Sequence, residues 1–352
     1  MIAVGPSNVP FSECMLETPG SLVWWYVDLV DESGSGAVCI WSFGLPFLPG
    51  VCSSARAGQP QDPRTRPSFN LAIYSEGKPA FYTLVEVPEH EAHWEGDTCR
   101  FGNSRFRSRV EDDAVAVDIT FDATLSGPRL PLQGTLTVRG PRCQGLGGLR
   151  NPHHSWEPLS MGSAVGHLDV RCGEFSAHVQ GRAYHDRNGG DRPLTAIGLK
   201  SWRWGRVALP DREIVFSVPD GEGPSTVIEV LADGSTHAYP VLGPQALDFA
   251  NAWFGPRWPR RLEIPTDGGV LVIEQLSLVD DAPFYQRCLV RGSFGGASGP
   301  GVAERVLVDR MDAAWMRPFV NMRIDRGPAS SLWLPLFNGP RPRRGWVVGR
   351  PR

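Results

Sequence analysis

The chain has 352 residues, of which 41% are hydrophobic and 21% are charged, so it has enough apolar material for a buried core and is expected to be globular. Its formal net charge of −3 and sequence pI near 6.3 argue against a nucleic-acid-binding protein. No apolar run reaches the roughly 18 residues that a transmembrane helix needs, and the first residues lack a signal-peptide pattern, so neither segment is predicted.

The predicted elements are almost all short strands separated by turn residues. A hairpin comes first, with strands at 22–30 and 37–43. Residues 44–68 are rich in Pro, Gly, Ser and Arg and predict a long loop that caps a cavity mouth. Further strands are predicted at 68–75, 80–87, 98–110, 114–121, 134–139, 164–170, 173–184, 196–209, 213–218, 225–231, 236–241, 260–264, 269–278, 284–294 and 301–309. Only 243–254 and 312–320 have a mildly helical pattern.

Strands at roughly ten-residue spacing with turns between them are typical of an all-β protein, either a sandwich or a barrel. The length exceeds what one compact core usually holds. We therefore predict two antiparallel, barrel-like β domains, residues 1–190 and 191–352, with few short helices.

The seven cysteines are odd in number and contain no Cys-x-x-Cys pair, which argues against a disulfide framework and a zinc site. They are expected to be reduced, mostly buried thiols. Gly-rich residues 145–148 lack the flanking strand and helix of a phosphate-binding loop, and they lie outside the residues that the structure describes. No metal and no cofactor is predicted.

Two segments concentrate polar and aromatic residues in a way that predicts a site. If residues 181–186 form a strand, Tyr184 and Asp186 share one face and His185 points to the other. By the same parity, His154 and Trp156 share a face. Two neighbouring strands would then place an acid, an imidazole, a phenol and an indole in one cavity.

Each of these residues also has an ordinary structural explanation. Asp186 could be a solvated carboxylate, because Asp is rarely buried. His153 and His154 invite a metal site with Asp186, but strand parity sends the two imidazoles to opposite faces. Arg182 would depress the pKa of a nearby acid, so we expect it outside the pocket or at its rim.

Aromatic residues on three strands are candidates for the walls of the cavity. Trp202 and Trp204 share a face, and Trp25 and Tyr26 lie in the first strand. Aromatic strand residues are usually core. We nevertheless predict that these four contact substrate.

Several segments, in this order, resemble the carotenoid 1,2-hydratase (hydroxyneurosporene synthase) family, within a wider group of two-domain, lipocalin-like proteins that includes small-molecule cyclases. The matching segments are Trp24-Trp25-Tyr26-Val27-Asp28, Asn70-Leu71-Ala72-Ile73-Tyr74, His153-His154-Ser155-Trp156-Glu157-Pro158, Gly181 to Gly190, Trp202-Arg203-Trp204-Gly205-Arg206 and Pro283-Phe284-Tyr285-Gln286-Arg287. The resemblance implies catalytic roles for His154, Trp156, Tyr184 and Asp186. Ala183 stands where the family usually has Gly, and Gly189 stands where it usually has Trp. The loss of that Trp at position 189 predicts a wider pocket.

The implied reaction adds water to the terminal C1=C2 double bond of an acyclic carotenoid such as neurosporene or lycopene, or of another long apolar isoprenoid. Asp186 would protonate carbon, the π-faces of Trp156 and Tyr184 would stabilise the tertiary cation, and His154 would either tune Asp186 or hold the water. A carrier of an apolar ligand and a cyclase or pericyclase of the same fold are the alternatives.

The substrate class also implies where the protein works. We expect a cytoplasmic protein with peripheral contact to the inner membrane, through an exposed apolar loop such as residues 43–51.

Overall fold

A computed structural model describes residues 3–4, 13–144, 153–221, 225–249, 256–327 and 337–341. Its strands are β1 Ala3–Val4, β2 Leu22–Val30, β3 Gly36–Phe43, β4 Pro67–Ser75, β5 Lys78–Glu86, β6 Ala92–Glu95, β7 Thr98–Phe101, β8 Ser104–Glu111, β9 Ala114–Leu125, β10 Leu130–Pro141, β11 Ser155–Ser160, β12 Val165–Cys172, β13 Phe175–Gly190, β14 Leu199–Ala208, β15 Arg212–Gly221, β16 Thr226–Leu231, β17 Thr236–Pro240, β18 Gln245–Phe249, β19 Pro259–Thr266, β20 Gly269–Ala282, β21 Tyr285–Phe294, β22 Ala297–Leu307, β23 Ile324–Asp325 and β24 Gly339–Pro340.

Helices are few and short. The α-helices are α1 Val51–Arg56 and α2 Arg317–Asn321. Single 3₁₀ turns lie at Glu13–Leu16, Pro63–Thr65, Glu89–Glu91, Leu194–Ala196, Val308–Arg310 and Ala314–Met316. In the described parts of the chain, no helix has the length and apolar character needed to cross a membrane. The all-β prediction with few short helices is confirmed.

The strands form two curled half-barrel sheets. The N-terminal sheet has the order β23-β5-β4-β3-β2-β13-β12-β10-β9-β8-β7-β6, and β1, β11 and β24 pair beside this path. The C-terminal sheet has the order β17-β16-β15-β14-β22-β21-β20-β19-β18. The change of sheet between β13 and β14 falls near the predicted boundary at residue 190. However, β23 and β24 return to pair with β5, so the division into two domains stays a prediction.

Three apolar clusters form the core, because alternate residues of each strand point to opposite faces. One cluster lies behind the N-terminal sheet and one behind the C-terminal sheet. The third, which we call the shared core, joins residues of both sheets, among them Tyr26, Tyr184, Trp204 and Val306. The site described below lies at this shared core.

Polar side chains that are buried between the sheets are paired across the boundary. Arg206 of β14 donates from Nε to Asp28 Oδ1 of β2 at 2.7 Å and from Nη1 to Glu213 Oε1 of β15 at 2.6 Å. Arg287 of β21 donates to the Tyr74 hydroxyl of β4 at 2.8 Å. These bonds fix how the two sheets face each other.

Two predictions about local structure are wrong. Part of residues 243–254 forms the edge strand β18 instead of a helix, because pairing with β19 overrides the weak helical pattern. Residues 44–68 contain α1 as well as loop, and Phe43, Leu45 and Leu48 are buried. The apolar segment 43–51 is therefore not an exposed membrane-contacting loop; its apolar side chains pack into the core.

The helical prediction for residues 312–320 is confirmed in part, since α2 lies largely within this range.

Candidate active site

Strand pairing brings the two predicted segments together. In β13, side chains alternate between the shared core and the core behind the N-terminal sheet, so Tyr184, Asp186 and Asn188 face the same way. Strand β11 pairs antiparallel with β13 and places Trp156 opposite Asn188. On the other side of β13, Tyr26 of β2 lies opposite Asp186.

The carboxyl group of Asp186 is held by three neighbours. Trp156 Nε1 donates to Asp186 Oδ2 at 2.8 Å and also approaches the Tyr184 hydroxyl at 3.0 Å. The Tyr184 hydroxyl donates to the same Oδ2 at 2.7 Å, and Asn188 Nδ2 donates to Oδ1 at 3.0 Å. Because Oδ2 already accepts two hydrogen bonds, a proton on this carboxyl group belongs on Oδ1.

Burial gives Asp186 an unusual acidity. Its side chain is only 3% exposed, and burial raises its pKa to about 8, against the hydrogen bonds from Tyr184 and Trp156, which lower it. The nearby carboxylates of Glu304 and Asp28 raise it further. The raised pKa therefore favours the neutral acid at pH 7. Burial also raises the pKa of Tyr184 well above its ordinary value, so this hydroxyl stays a donor.

The imidazole of His154 is buried and neutral beside this acid. Burial lowers its pKa to about 4, and the neighbouring Asn188 side chain opposes that shift. Asn188 therefore lies beside the imidazole and donates to the carboxyl group of Asp186. His154 Nδ1 has no hydrogen-bond partner among the described residues.

These side chains open into an apolar cavity between the two sheets. The cavity and its mouth hold about 680 Å³ of space free of protein atoms. Its lining residues, from both sheets and from the segment before α1, are Trp24, Tyr26, Ile40, Leu45, Phe47, His154, Trp156, Asp186, Asn188, Leu194, Leu199, Trp202, Trp204, Ser217 and Glu304. The segment 44–68 thus contributes Leu45 and Phe47 to the cavity wall, and its role as a cap over the cavity mouth stays a prediction.

Aromatic rings pack closely on this wall. The ring of Trp204 lies 5.2 Å from the rings of both Tyr26 and Tyr184, measured between centroids. Trp202 lies two residues before Trp204 and lines the same cavity. Three of the four residues predicted to contact substrate, Tyr26, Trp202 and Trp204, therefore border the space in which a substrate would lie.

Trp25, the fourth residue predicted to contact substrate, does not border the cavity. Its ring stacks on Trp94 at 5.2 Å and packs against Phe106 in the core behind the N-terminal sheet. Adjacent residues of a strand point to opposite faces, so Trp25 and Tyr26 cannot share a cavity. The wall residue of this pair is Trp24, which parity indicates and which we missed.

Other parity predictions are confirmed. His185 points away from the cavity and contacts Ser108 Oγ at 2.9 Å and the carbonyl of Tyr26 at 3.0 Å. His153 lies at the surface, 3.1 Å from Asp191, while His154 is buried. Arg182 is absent from the cavity lining and donates to the carbonyl of Gly162.

The two departures from the family pattern lie outside the cavity. A Cβ at Gly189 would lie 3.6 Å from the Leu22 carbonyl oxygen and 4.0 Å from Val23 Cγ2, on the face opposite Asp186. Ala183 is buried in the core behind the N-terminal sheet, which lies on that face. The prediction that Gly189 widens the pocket is therefore wrong.

Three polar residues of the cavity, Asn188, Ser217 and Glu304, were not predicted. Asn188 was visible in the sequence, because it continues the alternation of Tyr184 and Asp186. Glu304 lies more than a hundred residues away in β22, and no local pattern indicates it. The described residues contain no group of three or more His, Cys, Asp or Glu side chains that could hold a metal ion. The six cysteines with described side chains are buried free thiols.

The raised pKa of Asp186 predicts a pH-dependent stability. An ordinary Asp ionises near pH 3.8, so between about pH 4 and 8 the unfolded chain loses this proton while the folded protein keeps it. The wild type should therefore lose about 1.4 kcal/mol per pH unit relative to Asp186→Asn in this window. Urea unfolding of both proteins at pH 5 and pH 8 measures the difference. Parallel stability curves would contradict the assignment.

Comparison with known proteins agrees with the fold. The model of the family described as carotenoid hydratase CrtC matches residues 44–332. The chain is 27% identical over 321 residues to the acyclic carotenoid 1,2-hydratase of Rubrivivax gelatinosus, covering 88% of this chain and 74% of that protein. It is 23% identical over 315 residues to the acyclic carotenoid 1,2-hydratase of Thiocapsa roseopersicina, with coverages of 88% and 74%.

A solved structure shows the same fold at low identity. The crystal structure of an AttH-like protein from Nitrosomonas europaea superposes with a TM-score of 0.60 at 14% identity, covering 86% of this chain and 99% of that chain. The family match spans most of the chain and both sheets. The chain belongs to the carotenoid hydratase CrtC family.

Proposed function

We propose that this protein is an acyclic carotenoid 1,2-hydratase that adds water to the terminal C1=C2 double bond of neurosporene, lycopene or a related apolar isoprenoid. The observation that carries the proposal is a buried carboxyl group, that of Asp186, which faces an apolar cavity lined by aromatic rings and whose pKa is raised by burial. Membership of a hydratase family and the names of the relatives support the same reaction.

Asp186 starts the reaction as a general acid. Its proton moves from Oδ1 to C2, the π electrons of the double bond form the new C–H bond, and a tertiary cation remains at C1. An unperturbed Asp would be protonated in only about one part in a thousand at pH 7, so the raised pKa removes a cost of about 4 kcal/mol. Trp156 and Tyr184 hold the other oxygen and so direct Oδ1 toward the cavity.

The walls of the cavity suit a carbocation. Each π-face that contacts a desolvated cation contributes about 0.5–2 kcal/mol. Trp24, Tyr26, Trp156 and Trp204 supply such faces on two sides of the cavity. Apolar lining residues also limit the access of water, which favours capture of the cation by a single bound water.

His154 acts through Asn188. A neutral imidazole adds no charge that would lower the pKa of Asp186, and it lies beside the Asn188 side chain, whose amide contacts Oδ1. His154 and Asn188 are therefore positioning residues for the acid in this proposal. Asp186 and Trp156 line the cavity beside the reacting carbon, whereas Tyr184 is not a lining residue and acts by holding the Asp186 carboxyl group.

The proposal is tested by expressing the chain in a lycopene-producing host and analysing extracts by mass spectrometry. A carotenoid that has gained one water is the expected product. Recovery of unchanged carotenoid bound to the purified protein would indicate a carrier instead. A product of unchanged mass with an additional ring would indicate a cyclase.

Peripheral contact with a membrane follows from the substrate, which dissolves in lipid. We propose that the protein meets its substrate at a membrane surface, and flotation with liposomes that contain lycopene measures this. Recovery of the protein only in the lipid-free fraction would contradict it.

A further inference from the structure

Glu304 is a second carboxylate in the cavity, on the wall opposite Asp186. Asp186 belongs to β13 of the N-terminal sheet and Glu304 to β22 of the C-terminal sheet. The Glu304 side chain lines the same cavity and the residue is 8% exposed. Buried carboxylates are rare, and a pair of them on opposite walls of one cavity is typical of acid–base chemistry.

A buried arginine fixes this carboxylate. Arg287 lies opposite Glu304 in the neighbouring strand β21, and its Nε donates to Glu304 Oε1 at 2.7 Å. A second hydrogen bond, from Arg287 Nη1 to the Tyr74 hydroxyl, holds the guanidinium in place. The guanidinium and the carboxylate form an ion pair in which the Arg287 side chain is 1% exposed and the Glu304 side chain is 10% exposed. Since the bond uses Oε1, Glu304 Oε2 can contact a molecule in the cavity.

Two buried donors beside Glu304 have no partner. The Tyr26 hydroxyl and Trp204 Nε1 both belong to cavity-lining residues, and neither makes a hydrogen bond within the described part of the chain. Trp204 is the direct cross-strand neighbour of Glu304 in β14. A buried unpaired donor costs about 1–3 kcal/mol, and a bound water with several polar partners removes that cost.

We infer that Glu304 accepts the proton of the attacking water, and that Tyr26 and Trp204 hold this water beside it. The inference rests on the proposed hydration. After Asp186 has protonated C2, a lone pair of the water oxygen forms the C1–O bond, and one proton of the resulting oxonium passes to Glu304. Return of that proton through solvent to the Asp186 carboxylate restores both groups, so the net change is alkene plus water to alcohol.

His154 is less suited to this second transfer. Its unpaired Nδ1 lies only 3.4 Å from where a Cβ of Gly190 would stand, so it faces the backbone of β13. The imidazole ring of His154 carries no negative charge. The Glu304 carboxylate carries a negative charge, and this charge attracts the proton of an oxonium. The acid and the proton acceptor then lie on the two sheets that form the cavity.

Glu304→Gln in ²H₂O separates this role from the role of Asp186. The amide keeps the shape of the side chain and can still accept from Arg287, but it cannot take a proton. We expect hydration of lycopene to fall about 10²-fold. Deuterium should still enter the recovered lycopene, because the cation forms and then loses a proton again. Glu304→Asp, which keeps the charge one methylene farther back, should hydrate lycopene at a rate between those of the wild type and Glu304→Gln.

Glu213→Gln is the matched control. Glu213 is also a fully buried, arginine-paired carboxylate of the C-terminal sheet, but it does not line the cavity. For Glu213→Gln, the ratio of deuterium incorporation into lycopene to hydration of lycopene should equal the ratio for the wild type. Wild-type hydration by Glu304→Gln would overturn the inference, and so would loss of both exchange and hydration in a folded protein. If the wild type itself adds no water, the proposed function fails and the inference fails with it.

Discussion

Asp186→Asn is expected to lower the hydration of lycopene or neurosporene by about 10⁴-fold, at the upper end of the effect of a general acid. The amide can still accept from Trp156 and Tyr184, so the variant should fold, but it has no acidic proton to give to C2. Product analysis of the purified variant by liquid chromatography and mass spectrometry measures the loss. Turnover near the wild-type rate would remove Asp186 from this role.

Two controls accompany this measurement. Asp211→Asn changes an exposed carboxylate beside Arg212, outside the cavity, and should leave the rate unchanged. The wild-type rate should also fall as the pH rises above about 8, because the Asp186 carboxyl group then loses the proton that it must donate. A rate that increases steadily from pH 7 to pH 9 would contradict an acid with this pKa.

Arg206→Met is expected to lower the free energy of unfolding by about 3–5 kcal/mol, because it leaves two buried carboxylates without their cation. Arg206, Asp28 and Glu213 are all fully buried, and Arg206 joins strands of the two sheets. Glu213 Oε2 also accepts from the backbone of Gly162 at 2.8 Å. Urea denaturation at pH 7 measures the change.

Arg107→Met provides the comparison for this loss. Arg107 pairs with Asp97 at 2.7 Å, but both side chains are more than a third exposed. Exposed ion pairs contribute little, so this variant should lose less than about 1 kcal/mol. If the two variants were equally stable, the buried group would not be what joins the sheets.

Strand parity accounts for most of what the sequence revealed about the site. Tyr184 and Asp186, His154 and Trp156 each share a face because they are two residues apart, and the two pairs meet because β11 and β13 are neighbours. The same rule applied to strand β2 excludes Trp25 from the cavity wall and places Trp24 on the wall with Tyr26. The error there came from treating adjacent aromatic residues as one surface.

Local sequence patterns could not predict contacts between residues that are distant in the sequence. Glu304 and its partner Arg287 enter the site through the order of strands in the C-terminal sheet, which depends on hydrogen bonds between distant segments. The burial of Leu45 and Leu48 depends on packing against the shared core. A segment rich in Pro and Gly is predicted to contain turns, but its composition does not indicate which of its side chains are buried.

Hydration in ²H₂O tests the central claim most directly. Purified wild type and Asp186→Asn are incubated with lycopene, the products are washed with ordinary water, and carbon-bound deuterium is located by NMR and mass spectrometry. We expect the wild type to form a 1-hydroxy product with one deuterium at C2 and Asp186→Asn to form neither this product nor deuterated lycopene. Recovery of lycopene with no added water and no deuterium from the wild type would contradict it.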